Sequence, residues 1–355
     1  MPGNSFGHMF RITTWGESHG DAIGVVVDGC PPGLPMNEAV IQAMLDRRKP
    51  GSTQASTTRK EPDQASILSG VFEGVTTGTP ISIMVPNKDP QSRSYAPYAK
   101  LYRPGHGDFT YQKKYGVRDW RGGGRASARE TVGRVAGGAV AAALLAAQGI
   151  RVFTHTLELG GVQARVVDLE EAMNNPYACP DAEAAGRMDE RVSEVRKMGD
   201  SVGGVVQVLA AGVPPGLGEP VFDKLDAMLA YALMGIGAVK GVEIGAGFAA
   251  ARCLGSENND PITPEGFASN RSGGILAGIS NGEPLVARVA VKPIPSISKE
   301  QGTVDETGAA TSLTVQGRHD VCAIPRINVV CEAMVCLVLA DCLLMQRAVE
   351  RGTGK

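Results

Sequence analysis

The sequence predicts an α+β fold built in layers, and three observations carry that prediction. Its alternating apolar segments are short, bounded by Gly and Pro, and do not follow the regular strand-helix alternation of a doubly wound sheet. Two strand-and-turn motifs occur twice in the same order. Two longer apolar segments approach membrane length, but 135–150 is largely Ala and Gly, and 327–345 contains Glu332 and Asp341. We therefore expect both segments to be buried core helices.

The first repeated motif joins an apolar run, a Pro-Gly turn and a helix. The early copy reads G-C-P-P-G-L at 29–34, after which Asn37 can cap a helix that ends near Arg48. The later copy reads G-V-P-P-G-L at 212–217, and its helix is expected over 220–234, with Pro in the first turn. One such motif could recur by chance in any α/β protein.

The second repeated motif is longer and makes duplication the better interpretation. Segments 70–85 and 274–289 share the positions of glycine, proline and apolar residues. A His-containing loop follows in each half, and after it a long apolar helix, expected to begin near Arg125 and near Arg326. We predict a single domain over residues 1–355, built of two related halves (about 1–150 and 200–355) joined by a connector (151–200). Loops of two such halves would converge on a shared ligand site.

Composition excludes several classes of protein. The formal net charge of −2 argues against a general nucleic-acid binder, which needs a broad excess of Lys and Arg. The seven cysteines show neither a Cys-x-x-Cys pair nor zinc-site spacing, so we expect reduced, buried thiols in the cytoplasm and no metal. The N-terminus lacks the pattern of a signal peptide. The 46 glycines are about twice the average usage, which predicts many ligand-lining loops.

Three segments carry candidate chemistry. The first, G-E-S-H-G at 16–20, offers a hydroxyl and an imidazole; Ser18 and His19 are not expected to act as a nucleophile pair, because neighbours on an extended segment point opposite ways. Such a histidine is more often structural when it stands alone.

The second segment comprises R-P-G-H-G-D at 103–108 and R-G-G-G-R-A-S-A-R-E-T-V-G-R at 121–134. It contains a glycine-rich loop that opens a helix and suits phosphate or carboxylate. It matches neither a dinucleotide fingerprint nor a P-loop. The alternative to an anion-binding site is a helix start whose arginines are simply solvated.

The third segment is G-R-H-D-V-C-A-I-P-R at 317–326. Arg318 and Asp320 could share one face of an extended segment, and the arginine would keep the carboxylate ionised as a proton acceptor. A plain surface ion pair is the alternative. Together the Arg-Gly elements suit a small, multiply charged anion, since the planar guanidinium binds carboxylate and phosphate in a bidentate way.

Taken together, these three segments resemble the signature segments of the chorismate synthase family, and they occur in the family's order. The resemblance continues through D-R-R-K-P-G at 46–51, E-P-D-Q at 61–64 and A-V-K-G-V-E-I-G at 238–245, so that it covers nearly the whole chain. It implies a lyase of the shikimate pathway that converts 5-enolpyruvylshikimate 3-phosphate to chorismate and phosphate, using reduced FMN without net redox change. It also implies helices between antiparallel sheets, a homotetramer, NADPH as an indirect reductant and a separate flavin reductase. The length of the chain resembles that of the bacterial-type enzyme.

The resemblance further assigns catalytic roles. His106 would protonate the departing phosphate, His19 would stabilise the negative edge of the reduced flavin, and Asp320 would accept the flavin N5 proton. Ser18 and Ser127 would assist through hydrogen bonds. Reduced flavin is needed because no ordinary side-chain base removes an unactivated ring hydrogen by itself, which leaves positioning, proton supply and charge matching to the protein.

Binding residues follow from the same pattern. The substrate's anionic groups would be held by Arg48, Arg59, Arg129 and Arg134. The flavin would be held by Arg125, Ala126, Ser127, Gly237, Ala238, Ala277, Lys292, Pro293, Ile294, Pro295, Ser296 and Arg318. A nicotinamide nucleotide would contact Arg48 and Gln54. The chain departs from the family's pattern at Lys49 and Gln54, where arginine is frequent, at Ala126 for serine and at Ala277 for glycine.

Two other classes of function stay open. A noncatalytic flavin or nucleotide sensor would keep the pocket without turnover, although His19, His106 and Asp320 argue against it. A nicotinamide oxidoreductase would need the glycine fingerprint that this sequence lacks.

Overall fold

The computed structural model describes residues 3–49, 62–88, 92–315 and 320–349, except the side chains of 92–94. Its elements fall into two groups along the chain. The first group is β1 (Ser5–Phe6), β2 (Arg11–Gly16), β3 (Ala22–Asp28), α1 (Glu38–Arg48), β4 (Ser66–Ile67), β5 (Val71–Phe72), β6 (Val75–Thr76), β7 (Ile81–Pro86), α2 (Asp108–Tyr115) and α3 (Thr131–Ala146). The second group is β8 (Arg151–Leu159), β9 (Val162–Gln163), α4 (Leu169–Asn174), α5 (Ala182–Lys197), β10 (Gly204–Ala211), α6 (Leu225–Met234), β11 (Val239–Ile244), α7 (Gly255–Asn258), β12 (Ile262–Thr263), β13 (Gly266–Phe267), β14 (Ile275–Leu276), β15 (Ile279–Ser280), β16 (Leu285–Val291), β17 (Gln301–Val304), β18 (Ala310–Leu313) and α8 (Ile324–Val349).

Two five-stranded antiparallel sheets dominate the described structure. The first has the order β1-β2-β3-β7-β4 and the second β9-β8-β10-β16-β11. Four strands correspond in sheet position and chain order, β2-β3-β7-β4 with β8-β10-β16-β11, and the hairpins β5-β6 and β14-β15 precede the matching strands β7 and β16. The outer strands differ, because β1 precedes β2 in the chain whereas β9 follows β8. The segment 151–200, predicted as a connector, contributes β8 and β9 to the second sheet and also forms α4 and α5. Where the halves begin and end stays a prediction.

Helices α3 and α8 form the layer between the sheets. Helix α3 packs on β2 and β3, α8 packs on β8 and β10, and the two helices pack against each other, with α1 and α6 beside them. Small residues allow this close approach: a Cβ added at Gly138 would lie only 2.4 Å from that of Ala333. The predicted α+β fold with helices between antiparallel sheets is therefore confirmed.

Both long apolar segments form core helices, as expected. Within the described residues α8 alone is long and apolar enough to cross a membrane, and 94% of its most apolar stretch is buried inside the protein. Its one fully buried carboxylate, Asp341, accepts hydrogen bonds from the backbone N–H groups of His8, Met9 and Phe10, at 2.6–2.9 Å. The charge inside this helix thus anchors the N-terminal segment.

Helix starts are where the sequence prediction is corrected. Asn37 does cap α1, because its side chain accepts from Val40 N. Helix α3 begins at Thr131 rather than near Arg125, since extended Ser127 separates two short 3₁₀ turns before it. Helix α6 begins at Leu225 rather than at Pro220, because residues 219–223 close a turn of their own.

Candidate functional site

A cavity of about 800 Å³ opens where loops of the two halves meet. Its walls come from the N-terminal segment, the loops before α2 and α3, the end of α6 with the start of β11, the loop after β16, and the start of α8. Lys292 crosses from the second half to the first, donating from Nζ to the carbonyl oxygen of Gly105 at 2.6 Å. The cavity therefore depends on how the halves pack.

Most of the predicted site residues line this one cavity. They are Arg48, His106, Arg125, Ala126, Ser127, Arg129, Arg134, Gly237, Ala238, Lys292, Ile294, Pro295, Ser296 and Asp320. Ser18, His19, Pro293 and Ala277 do not line it. Ala277 lies in the turn between β14 and β15, at φ +51°. Gln54, Arg59 and Arg318 fall outside the described residues.

His19 is buried directly behind the cavity wall. A Cβ added at Gly122, which lines the cavity, would lie 2.1 Å from His19 Cε1, and the imidazole edge meets the Tyr95 ring at a centroid distance of 5.3 Å. Ser18 Oγ and His19 Nδ1 are joined by a 3.0 Å hydrogen bond. The expectation that these neighbours point apart is therefore wrong, because the segment is a turn and not extended.

The glycine-rich loop brings its backbone close to both histidines. Gly122, Gly123 and Gly124 all have positive φ, a conformation that few other residues adopt. At Gly123 an added Cβ would lie 2.8 Å from Cε1 of His106. Any larger residue at either of the first two glycines would displace an imidazole.

The arginine predicted to bind substrate at position 48 is held from behind by a buried carboxylate. Arg48 Nη2 donates to Asp63 Oδ2 at 2.6 Å, and Arg129 Nη1 donates to Asp63 Oδ1 at 2.8 Å. Burial lowers the pKa of Arg48 to about 10, and the pKa of Asp63 is lowered because the two guanidinium charges outweigh its own burial. All three groups therefore carry charge at neutral pH.

Other arginines of the site are fixed by different partners. Arg125 donates to the Gly16 carbonyl at 3.0 Å and to Thr14 Oγ1 at 2.7 Å, which ties the loop to β2. Arg134 pairs with Glu130 at 3.0 Å. Asp320 is bound by Arg326 Nη1 at 2.6 Å, so that α8 supplies a guanidinium for this carboxylate.

Several residues of the site were not predicted. Asp63 and Asp108 are the buried carboxylates behind Arg48 and His106, and Arg103 and Tyr95 complete the wall beside His106. Asp63 stands in E-P-D-Q, and Asp108 in R-P-G-H-G-D beside a predicted acid. For Asp108 the available signal was a carboxylate in the same motif as Arg103 and His106. E-P-D-Q contains neither arginine nor histidine, so Asp63 had no such local signal.

The chain is similar to known proteins over nearly its whole length. The family model described as chorismate synthase matches residues 10–344. Chorismate synthase from Desulfatibacillum aliphaticivorans is 66% identical over 350 residues, which cover 99% of this chain and 98% of the relative. That of Desulfosudis oleivorans is 65% identical over 351 residues, 99% of each. A solved structure described as a crystal structure of chorismate synthase is 34% identical, with a TM-score of 0.77 over 96% of this chain and 93% of the other. Matches of this length and identity leave one conclusion: the chain belongs to the chorismate synthase family.

Proposed function

We propose that this chain catalyses the 1,4-elimination of phosphate from 5-enolpyruvylshikimate 3-phosphate, which yields chorismate in the shikimate pathway. The observation that carries the proposal is the single cavity that brings together His106, Asp320 and three of the four arginines assigned to the substrate. The reaction class is that of a carbon-oxygen lyase acting on a phosphate ester. Net redox change is not required.

The charge of the cavity suits this substrate. Eight basic side chains of the described residues line it (Arg48, Arg103, Arg125, Arg129, Arg134, Lys240, Lys292 and Arg326), against two carboxylates, Glu130 and Asp320. A phosphate and two carboxylates would be attracted to such a wall, and guanidinium groups already fixed by Asp63 lose little further freedom on binding. The near-neutral chain thus concentrates its positive charge locally.

The cavity also has room and chemistry for a flavin beside the substrate. Its volume lies within the range of about 300–1,000 Å³ typical of small-molecule sites. Apolar side chains of Phe6, Tyr231, Val330 and Met334 line it together with backbone-rich loops at 105–107 and 292–296. When bound, reduced flavin supplies electron density that helps to expel phosphate. Arg125–Ser127, Gly237, Ala238 and Lys292–Ser296 would hold it.

The chain's own groups then supply protons. His106 would donate a proton to the bridging oxygen of the departing phosphate as the carbon-oxygen bond breaks, so that phosphate leaves as a better leaving group. Asp320, held by Arg326, would act as the proton acceptor of the reaction, as His106 acts as the proton donor. Ser127 Oγ accepts from Arg129 N at 3.3 Å, which supports an assisting role near the arginines.

Several finer statements belong to the same proposal. We infer that the flavin is FMN, reduced outside this chain by a separate flavin reductase with NADPH as the indirect electron source, and that the protein works in the cytoplasm. We also infer a homotetramer. Exposed apolar side chains before and on α6 support assembly, since Val221, Phe222, Tyr231 and Met234 would be covered by a second copy. Tyr231 and Met234 also line the cavity.

The test is phosphate release from the enolpyruvyl substrate under anaerobic conditions with reduced FMN. His106→Ala is expected to lower turnover by roughly 10²–10⁴-fold while FMN affinity stays near that of the wild type, because a general acid is lost. Asp320→Asn should fold normally and slow the reaction within the same range. His8→Ala is the matched control, since His8 is exposed and outside the cavity.

The same assay separates the alternative functions. FMN binding without phosphate release would favour a flavin sensor, and NADPH oxidation with free FMN would indicate an intrinsic reductase.

A further inference from the structure

A cluster of charged groups lies behind His106, on the side of the imidazole that faces away from the glycine-rich loop. At its centre is Asp108, the first residue of α2, which is 3% exposed. Its Oδ2 accepts from Arg103 Nε at 2.7 Å and from Arg103 N at 3.1 Å. Its Oδ1 accepts from Arg103 Nη2 at 2.9 Å and lies 3.3 Å from Arg118 Nη1 and 3.1 Å from His106 Nδ1.

These contacts keep Asp108 ionised although it is buried. Burial by itself would raise its pKa, but the hydrogen bonds and charges of Arg103 and His106 outweigh burial and hold the pKa far below the ordinary range. A carboxylate in this state accepts a hydrogen bond without taking the proton. Asp108 is therefore a fixed acceptor beside His106.

The imidazole of His106 has one nitrogen on each side of the wall. Nδ1 faces the cluster, at 3.1 Å from Asp108 Oδ1 and 3.2 Å from Arg103 Nη2. Nε2 faces the glycine-rich loop that lines the cavity, where a Cβ added at Gly123 would lie 3.1 Å away. An Nδ1 that carries hydrogen would donate to Asp108, and a bare Nδ1 would accept from Arg103. The two neighbours thus favour opposite tautomers.

We propose that Asp108 is the positioning residue for His106: it accepts the Nδ1–H hydrogen bond and so keeps Nε2–H directed at the departing phosphate. The inference rests on the proposed function. In the step itself the Nε2–H bond breaks, the proton joins the phosphate oxygen, and the electron pair of the carbon-oxygen bond leaves with phosphate. His106 ends neutral with its Nδ1–H still bound to Asp108, and solvent restores the second proton.

Other charged groups near His106 could also affect the pH dependence of the reaction, and their positions are as follows. Arg103 and Arg118 contact Asp108, and the Arg103 guanidinium also lies over the Tyr95 ring at 5.9 Å. Lys292 Nζ holds the carbonyl of Gly105, next to His106 in the chain. Asp320 lines the same cavity. Among these groups Asp108 is the carboxylate that reaches the His106 ring.

The first test compares Asp108→Asn with the wild type in the phosphate-release assay. Loss of the hydrogen-bond partner that orients a metal-bound histidine typically costs roughly 10–100-fold, and by analogy we expect a fall of that size in kcat with KM within about threefold. The alkaline limb of the kcat–pH profile should also move to lower pH, because the cationic ring loses its carboxylate. A purely structural role would lower the yield of active protein but leave the shape of that profile unchanged, and this result would overturn the proposal.

Asp181→Asn is the matched control. Asp181 is also a buried carboxylate at a helix start, and it accepts from Ala184 N at 3.0 Å, but it caps α5 outside the cavity. This variant should lose a comparable amount of stability while its pH profile stays that of the wild type. Wild-type rates in His106→Ala would instead sink the proposed role of His106, which separates that failure from a failure of Asp108 alone.

A second measurement needs neither turnover nor a folded Asp108 variant. The chain has five histidines, so ¹⁵N-histidine labelling and solid-state NMR can resolve His106, which is assigned by its loss in His106→Gln. The wild-type ring should carry hydrogen on Nδ1 at every pH at which the protein is folded. A neutral ring with bare Nδ1, bonded to Arg103 instead, would refute the proposal.

Discussion

Buried ionisable side chains in this protein fall into two kinds, those surrounded by countercharge and those left with none. Asp63 and Asp108 are carboxylates that stay ionised because guanidinium groups bind them. His155, in the middle of β8, is the opposite case. It is fully buried, and neither ring nitrogen has a hydrogen-bond partner in the part of the chain that the structure describes. Burial lowers the pKa of His155 to about 4, so the folded protein holds it neutral.

His155 should make stability depend on pH in the mildly acidic range. The unfolded chain takes up the proton near pH 6.5, whereas the folded protein does so only near pH 4, so unfolding binds a proton between these values and stability falls as pH falls. From pH 7 to pH 5 the loss is about 2 kcal/mol, at about 1.4 kcal/mol per unit of pH below 6.5. Urea unfolding at both pH values measures it, and His155→Leu should reduce the loss by that amount. Equal losses in variant and wild type would contradict the assignment.

At the scale of the elements, the contact between α3 and α8 decides how closely the two sheets approach. Helix α3 is rich in Ala and Gly, and three of its glycines face neighbours at short range: Gly133 meets the backbone of β3, Gly137 meets Ile12, and Gly138 meets Ala333. Glycine normally weakens a helix interior by roughly 0.5–1 kcal/mol. Its use here indicates that close packing outweighs helix propensity.

Gly138→Ala tests that balance. The added methyl would lie 2.4 Å from Ala333 Cβ and 2.7 Å from Ala333 Cα, so the helices must separate, and overpacking of this kind costs roughly 1–3 kcal/mol. Urea unfolding at pH 7 should show that loss. Gly186→Ala is the control: Gly186 is an exposed position of α5 with nothing near its Cβ, and the change should raise stability by roughly 0.5–1 kcal/mol. A stabilised Gly138→Ala protein would show that the helices are not in tight contact.

At the scale of the whole molecule, the two halves share both their core and their cavity. Strands of each sheet cover one side of the α3–α8 layer, and the cavity takes its lining from both halves. Neither half could bury its helices without the other. This arrangement differs from two domains on a linker, in which each part keeps its own core.

The protein should therefore unfold in one transition. Both tryptophans, Trp15 and Trp120, lie in the first half, so tryptophan fluorescence reports that half, whereas far-ultraviolet circular dichroism reports all helices and strands. The two urea transitions should coincide in midpoint and slope. A fluorescence transition clearly separated from that of circular dichroism would show that the halves fold independently.

Local sequence patterns sufficed for the class of fold, whereas the catalytic and binding residues were predicted from the family resemblance. The alternation of apolar and polar residues, the Pro-Gly turns and the length of the apolar segments are local properties of the sequence. They indicated the short strands, the capped helix α1 and the two buried helices. Helix starts were predicted less well, because Ser127 and the turn at 219–223 depend on contacts made elsewhere. Ser18 and His19 were expected to point apart, as neighbours on an extended segment do, because the turn there has no strong local signal; the structure instead joins them by a hydrogen bond.

What the sequence determined by itself is which residue types carry the chemistry, because imidazole, guanidinium and glycine have their properties wherever they stand. What only the tertiary structure decided is their partners: Asp63 between two arginines, Asp108 behind His106, Arg326 on Asp320. Partnership between distant groups depends on the packing of whole elements. The physical reason is that burial and countercharge, which set the charge state of each group, exist only once the two halves have closed on each other.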